Sequence, residues 1–218
     1  MRLYLSSFSL GDRPAELLAL TRSARRAAII LNALDNHPGE RASWLKNQTD
    51  RLTGLGFNAV ELDLRDYFNN PAGLDACLKD LDIVWINGGN AFLLRRAMRQ
   101  SGFDALIKTA LTKDEIVYAG FSAAAVIASN SLRGLETIDD PDDIPPGYDQ
   151  QIIWDGLGLV SFAIAVHFNS DHPESEAVHR AIAFYQAQGI PFKTLQDGEV
   201  LIIDGDRQRI AGLHTKER

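Results

Sequence analysis

The chain of 218 residues has little cysteine, and it lacks long hydrophobic runs. Its one cysteine, Cys77, cannot form a disulfide within the chain, and it lies in an apolar helical segment where a packed thiol is expected. No apolar run approaches the roughly 18 residues that a membrane-spanning helix needs. The apolar start of the chain is interrupted at Gly11–Pro14, too early for a secretory signal. We therefore expect a cytoplasmic protein.

Positive charge is also scarce. The 22 lysines and arginines are outnumbered by 29 acidic residues, which gives a net charge of −7 and disfavours nucleic acids and anionic membranes as partners. No HExxH pattern accompanies the histidines, so we predict neither a metal nor a cofactor. Hydrophobic residues make up 45% of the chain, which is ordinary for a globular protein. We expect one domain, 1–218, acting as a monomer or homodimer.

Short apolar segments alternate with longer amphipathic ones. Ile83–Ile86 is typical of a strand covered on both faces, whereas 41–55 has helical spacing. The repeated alternation predicts an open, mostly parallel α/β sheet of flavodoxin-like type, with helices on both faces. Segments 199–203 and 208–212 are predicted to form a C-terminal β-hairpin. The other predicted strands are 3–7, 27–31, 58–64, 115–119 and 162–166, and the other predicted helices are 14–22, 73–81, 91–101, 103–111, 123–128 and 175–188.

The most informative segment, Gly120–Ala124, joins a predicted strand to a helix of small residues. A serine at such a corner, called a nucleophile elbow, exposes its hydroxyl at the carboxyl edge of the sheet. Gly120 and Ala124 are small enough for this turn, although the full motif has glycine where Ala124 stands. The segment therefore predicts Ser122 as a catalytic nucleophile. The alternative is a serine that caps a tightly packed helix.

A serine nucleophile needs a general base, and five histidines are candidates. His167 directly follows the predicted strand 162–166, and the carboxyl ends of strands are where sites assemble in open α/β sheets. We therefore predict His167 as the base, with His172 as the fallback. The remaining histidines, His37, His179 and His214, lie in a turn, in a helix and near the terminus.

The base in turn needs an acidic residue that fixes its tautomer. Several acidic residues lie between Ser122 and His167, mostly in a proline-rich segment that is typical of a solvated loop. Glu136 lies closest to the end of the helix after Ser122, so its backbone should be better held. We predict Glu136 as the orienting acid, with Asp139 as the alternative.

The glycines before the helix at 91–101 are candidates for an oxyanion hole. Gly88-Gly89-Asn90 follows a predicted strand, so its amides lie where partial positive charge collects at a helix N-terminus. We predict the N–H groups of Gly89 and Ala123 as the pair of oxyanion donors. The alternatives are a tight turn with Asn90 as the helix N-cap, or a phosphate loop, for which the Walker lysine is missing.

Three ordered segments together resemble the peptidase E family of serine peptidases. They are 86–94, 118–123, and 156–160 leading to His167. The resemblance implies a class I glutamine amidotransferase-like fold, with Ser122 as nucleophile and His167 as general base. It also implies oxyanion donors at Gly89 and Ala123, and an acidic residue soon after the serine helix. The family commonly has a third glycine where this chain has Asn87.

The resemblance further implies a serine-type peptidase that hydrolyses small peptides, in the manner of a dipeptidase, through an acyl-enzyme. Aspartyl dipeptidases of the family hold the substrate carboxylate with an arginine beyond the histidine. The arginine near that position here is Arg180, and Gly88 and Asn90 are expected as further substrate contacts. The alternatives are an esterase or amidase with the same triad, and a binding module that has lost turnover.

Overall fold

Two sheets are present in this computed structural model, which describes residues 1–21 and 25–213. The main sheet has seven strands, and a separate small sheet has two. In chain order the strands are β1 (Arg2–Ser6), β2 (Arg26–Ile30), β3 (Asn58–Glu61), β4 (Ile83–Ile86), β5 (Val117–Phe121), β6 (Ala163–Ala165), β7 (Phe192–Thr194), β8 (Val200–Asp204) and β9 (Arg207–Ala211).

The main sheet has the order β3-β2-β4-β5-β1-β8-β9. Its first five strands are parallel, whereas β8 runs antiparallel to β1 and β9 runs antiparallel to β8. The prediction of a mostly parallel α/β sheet is confirmed. The order places β4, β5 and β1 side by side, so the loops that follow them meet at one edge of the sheet.

Helices cover both faces of the main sheet. Leu17 and Leu52 pack with one set of inward strand residues, whereas Phe92, Phe103 and Ala123 pack with the other. The helices are α1 (Pro14–Leu20), α2 (Pro38–Gly54), α3 (Leu74–Lys79), α4 (Ala91–Ser101), α5 (Phe103–Thr112), α6 (Ala123–Val126) and α7 (Ser175–Gln188). The predicted first helix extended to Arg22, which lies outside the described residues. Within residues 1–21 and 25–213, no helix is long and apolar enough to cross a bilayer.

The corner between β5 and α6 depends on a glycine. A Cβ on Gly120 would lie 2.3 Å from the carbonyl oxygen of Ile86 on the neighbouring strand, and 2.6 Å from the Cβ of Ala124. Such contacts are closer than van der Waals packing permits, so any larger residue would push β5 away from both β4 and α6. The absence of a side chain at Gly120 leaves room for the methyl group of Ala124.

Three predicted strands differ clearly from the structure. The strand predicted over 115–119 forms as β5, Val117–Phe121, and so runs up to Ser122. The strand predicted over 58–64 ends at Glu61, and a 3-10 turn over Leu64–Tyr67 follows it. The strand predicted over 162–166 forms as β6, but it pairs in parallel with β7 in the small sheet and not within the main sheet. The residues that follow β6 and β7 therefore extend from the small sheet, although they lie near the carboxyl edge of the main sheet.

Candidate active site

A cavity of about 170 Å³ lies at the carboxyl edge of the main sheet. Ser122 and His167, the two predicted reactive residues, both line it, and so do Gly88 and Gly89. Its other walls are formed by Phe8, Leu34, Glu40, Trp44, Asn87, Phe121, His172 and Glu174. A larger cavity of about 430 Å³ lies at the opposite edge, near Arg2 and Glu115, and contains none of the predicted site residues.

Ser122 occupies the sharp turn that the sequence predicted. It has φ 51° and ψ −112°, a backbone conformation that L-residues rarely adopt outside constrained turns. Its backbone N–H donates to the carbonyl oxygens of Ser6 and Ser7, both at 3.2 Å, which ties the corner to the end of β1. Its side chain makes no N-cap hydrogen bond to α6, which disfavours the helix-cap interpretation.

His167 follows β6, and its ring is held by a carboxylate. Its Nδ1 lies 2.7 Å from Oδ1 of Asp197, which follows β7 in the small sheet. Because an ionised carboxylate can only accept, Nδ1 carries the proton, and Nε2 is left with a lone pair. Nε2 is buried and has no hydrogen-bond partner among the described residues, Ser122 included. The imidazole is therefore in the tautomer that a general base requires.

Ser7 connects this pair to the main sheet. Its hydroxyl accepts the backbone N–H of His167 at 2.8 Å and lies 2.7 Å from Oδ1 of Asp197. The hydroxyl of Ser170 accepts the backbone N–H of Asp197 at 2.8 Å. The turns that follow β6 and β7 are thus hydrogen-bonded to each other and to the end of β1. These three segments together hold the His167 ring in position.

Neither predicted acid orients the His167 ring. The Glu136 carboxylate accepts the backbone N–H of Gly134 at 2.6 Å, within its own turn. The Asp139 carboxylate accepts the N–H of Ala91 at the start of α4, at 2.8 Å. Asp197 replaces both as the carboxylate beside Nδ1. Sequence reasoning missed it because the search was confined to residues between the serine and the histidine.

Asp139 has a different environment from a solvated loop residue. Burial raises the pKa of its carboxyl to about 7, and the negative charge of Glu174 acts in the same direction, against the hydrogen bond from Ala91. Asp139 is therefore partly protonated near neutral pH and stabilises the start of α4. The His167 ring is bonded to Asp197 instead.

The glycine segment before α4 packs against the serine corner. A Cβ on Gly88 would lie 2.9 Å from the Cβ of Ser122, so only glycine permits this approach. Gly89 has φ +130°, and a Cβ there would lie 2.5 Å from the carbonyl oxygen of Ala33. The N–H groups of Gly89 and Ala123 have no acceptor among the described residues. Gly89 lines the cavity, and Ala123 directly follows Ser122 in the chain.

Two predicted substrate contacts lie outside the lining of the cavity. The Asn90 side chain is the N-cap of α4, because its oxygen accepts the N–H of Leu93 at 3.0 Å while its amide donates to the Asp140 carbonyl. Asn90 does not line the cavity. Arg180 is exposed on α7, where its guanidinium donates to the Thr137 carbonyl at 3.5 Å, and it does not line the cavity either.

His172, the fallback base, stacks on His167. The two ring centroids are 3.6 Å apart and the ring planes differ by 5°. Nδ1 of His172 accepts the backbone N–H of Glu174 at 3.2 Å, which ties this ring to the turn before α7. Of the three histidines that the sequence did not favour, His37 is exposed, His179 packs on Phe168, and His214 lies outside the described residues.

The His167 ring is a weaker base than an exposed histidine. Burial lowers its pKa below the ordinary value, and the stacked His172 lowers it further, whereas Asp197 and Glu174 act in the opposite direction. We expect His167 to titrate below about 6.5. Since the unfolded chain then binds the proton more readily, the free energy of unfolding should fall as the pH drops below about 6.5.

An NMR titration of the imidazole resonances tests this expectation, with a histidine in an unstructured peptide as the reference. His167 should titrate at lower pH than the peptide histidine, and the His172→Gln variant should move the His167 midpoint upward, because His172 contributes to lowering the pKa of His167. A midpoint for His167 at or above that of the peptide would contradict the assignment of burial as the dominant cause.

One cluster within the described ranges has metal-ligand character: His167, His172 and Glu174. Imidazole lone pairs lie in the ring plane, and the two rings are parallel and 3.6 Å apart. Both rings therefore cannot direct a lone pair at one ion without a rotation of His172. The donor set does not fit a metal in the observed arrangement.

Comparison with known sequences gives one family. The sequence model described as peptidase family S51 matches residues 17–211. An uncharacterised peptidase from Listeria innocua is 27% identical over 152 residues, which are 70% of this chain and 68% of the relative. Peptidase E from Streptomyces coelicolor is 32% identical over 143 residues, which are 63% of this chain and 55% of the relative.

A Drosophila melanogaster protein named a probable alpha-aspartyl dipeptidase is 24% identical over 168 residues, which are 75% of this chain and 64% of that protein. The chain thus spans between 55% and 68% of the length of these curated relatives. A Listeria monocytogenes EGD-e protein provisionally assigned as a peptidase E has a crystal structure that superposes with a TM-score of 0.80 at 24% identity, covering 97% of this chain and 98% of that one. At this identity the likeness establishes the fold.

Proposed function

This chain belongs to peptidase family S51, and we propose that it hydrolyses short peptides through Ser122, His167 and Asp197. Ser122 is the nucleophile, His167 is the general base, and Asp197 is the carboxylate that orients the base. We also propose that the fold is of the class I glutamine amidotransferase-like type. The reaction needs no cofactor.

The observation that carries the proposal is the state of the His167 ring. Its Nδ1 is bonded to Asp197 at 2.7 Å, and its Nε2 has no partner in the described part of the chain while lining the same cavity as Ser122. An imidazole whose Nδ1 is held by a carboxylate and whose Nε2 has a free lone pair can accept the proton of the serine hydroxyl. In the structure Ser122 and Nε2 are not hydrogen-bonded, so the serine hydroxyl must turn toward Nε2 as the substrate binds.

In the first step, the Ser122 oxygen attacks the scissile carbonyl carbon while Nε2 of His167 takes the hydroxyl proton. The carbonyl oxygen becomes an oxyanion, which we place against the N–H groups of Gly89 and Ala123. Preorganised donors of this kind lower the barrier because they need no rearrangement as charge develops, and one donor is typically worth about 10²–10³ in rate.

In the second step, His167 gives its proton to the leaving amine, and the C–N bond breaks to leave an acyl-enzyme on Ser122. Water then attacks the ester, again with His167 as the base. The C–O bond to Ser122 breaks as His167 returns its proton to the serine oxygen, and the free acid is released. Asp197 stabilises the imidazolium that exists between these transfers, because its carboxylate accepts the Nδ1 proton at short range.

A fluorophosphonate probe tests this mechanism. We expect one covalent adduct, located by peptide mass spectrometry on Ser122, because the probe reacts with serines activated by a base. The Ser122→Ala variant should give no adduct, and boiled protein should react with neither the probe nor peptides. If Ser122 is labelled but the protein cleaves p-nitrophenyl esters and no peptides, the protein is an esterase and not a peptidase. If the probe labels no residue, the result favours a binding module without catalytic activity.

A further inference from the structure

The cavity beside Ser122 is built from aromatic rings and carboxylates. The Phe121 ring is buried and contacts Phe8 and Trp44, with ring centroids 5.9 and 6.1 Å away. Glu40 and Glu174 are the two acidic residues on the walls. No lysine or arginine within residues 1–21 and 25–213 lines this cavity. A cavity of this composition attracts cations and repels anions.

The two carboxylates are open to a ligand. Within the part of the chain that the structure describes, no lysine or arginine forms an ion pair with either of them. Glu174 Oε2 lies 3.9 Å from Nε2 of His167, which places it beside the reacting atoms. Glu40 lies in the first turn of α2, one turn before Trp44 on the same helix.

On this basis, and given the proposed peptidase function, we propose that the cavity selects peptides whose N-terminal residue is lysine or arginine. The α-ammonium group is two bonds from the carbonyl carbon that Ser122 attacks, so it reaches Glu174 beside His167. The side chain extends its methylene stem along Phe121 and Trp44 and places its cation at Glu40. Long cationic side chains bind in this manner, with an apolar stem and a charged tip.

The size of the cavity agrees with one residue in the site. Its volume of about 170 Å³ is well below the roughly 300–1,000 Å³ of pockets for larger ligands. An N-terminal aspartate would bring a third carboxylate next to Glu40 and Glu174 without a cation to pair with it. Arg180, which the resemblance to aspartyl dipeptidases assigned to that carboxylate, is bonded to the Thr137 carbonyl instead.

Matched aminoacyl coumarin amides test the selection. We expect kcat/KM for the lysyl amide to exceed that for the aspartyl amide about 100-fold. The carboxylates of the cavity attract the lysine ammonium group, whereas they repel the aspartate carboxylate. Norleucine has the stem of lysine without its charge, and lysine should exceed it about fivefold, as expected for a partly exposed ion pair.

Variants of Glu40 test whether this residue causes the preference for lysine. Glu40→Gln should reduce the lysine-to-norleucine ratio to about 1, and Glu40→Lys should raise kcat/KM for the aspartyl amide. Glu176→Gln is the control, because Glu176 is exposed on α7 and does not line the cavity. An aspartyl preference in the wild type, or an unchanged ratio in Glu40→Gln, would overturn the proposal.

Binding to the inactive variant separates this inference from the mechanism. Calorimetry with Ser122→Ala should show tighter binding of Lys-Ala than of Asp-Ala, whatever the rate of catalysis. If the wild type neither labels nor hydrolyses while Lys-Ala still binds more tightly, the peptidase mechanism fails and the cation selectivity stands. If Asp-Ala binds as tightly as Lys-Ala, the selectivity fails independently of the mechanism.

Discussion

The Ser122→Ala variant is expected to lose peptide hydrolysis by a factor on the order of 10⁶ in kcat, because removal of a serine nucleophile abolishes the acyl-enzyme pathway. The residual rate would come from the oxyanion donors and from substrate binding. The variant should fold normally, since the Ser122 side chain makes no N-cap bond and alanine adopts the same backbone conformation at similar strain. Initial rates on the lysyl amide and a thermal unfolding curve measure both expectations.

Ser161→Ala is the matched control, because Ser161 is exposed and does not line the cavity. It should keep the wild-type rate and the wild-type melting temperature. Activity of Ser122→Ala within tenfold of the wild type would refute the serine mechanism, provided that the protein preparation is free of contaminating peptidases. A fall in activity together with a lower melting temperature would instead indicate a role in stability.

The Asp197→Asn variant is expected to reduce kcat by about 10⁴, with a small change in KM. An asparagine can present its amide hydrogens to Nδ1, and the ring then carries its proton on Nε2, where it cannot act as a base. It also lacks the negative charge that stabilises the imidazolium. The measurement is kcat across pH, and the loss should persist above the His167 titration, because deprotonation of the ring does not restore the tautomer.

Glu136→Gln provides the control for this prediction. The Glu136 carboxylate is bonded to the Gly134 N–H, so its neutralisation should leave kcat within about twofold of the wild type. If Glu136→Gln lost as much activity as Asp197→Asn, the assignment of the orienting carboxylate would be wrong. An Asp197→Asn variant with near wild-type kcat would have the same consequence.

Alternation of apolar runs and amphipathic segments was enough to predict the parallel sheet, because strands buried on both faces and helices with one apolar face have different periods. Ile83–Ile86, Ala91–Ser101 and Ser175–Gln188 form with the bounds that their sequences predict. Ser122 at a sharp corner was also predictable, since Gly120 and the small residues after it describe that turn locally.

The sequence by itself determined what depends on neighbouring residues: the elements, the corner at Ser122 and the glycines that permit close approach. Only the tertiary structure decided which carboxylate meets His167, because β6 and β7 pair outside the main sheet and bring Asp197 to a ring thirty positions earlier in the chain. The charge of the cavity was decided in the same way. Glu40 lies on α2 and Glu174 in the turn before α7, far apart in sequence, and they line one cavity only because both segments pack around the same edge of the sheet. Long-range contacts of this kind leave no periodic signal, because they depend on strand order and on how the layers pack.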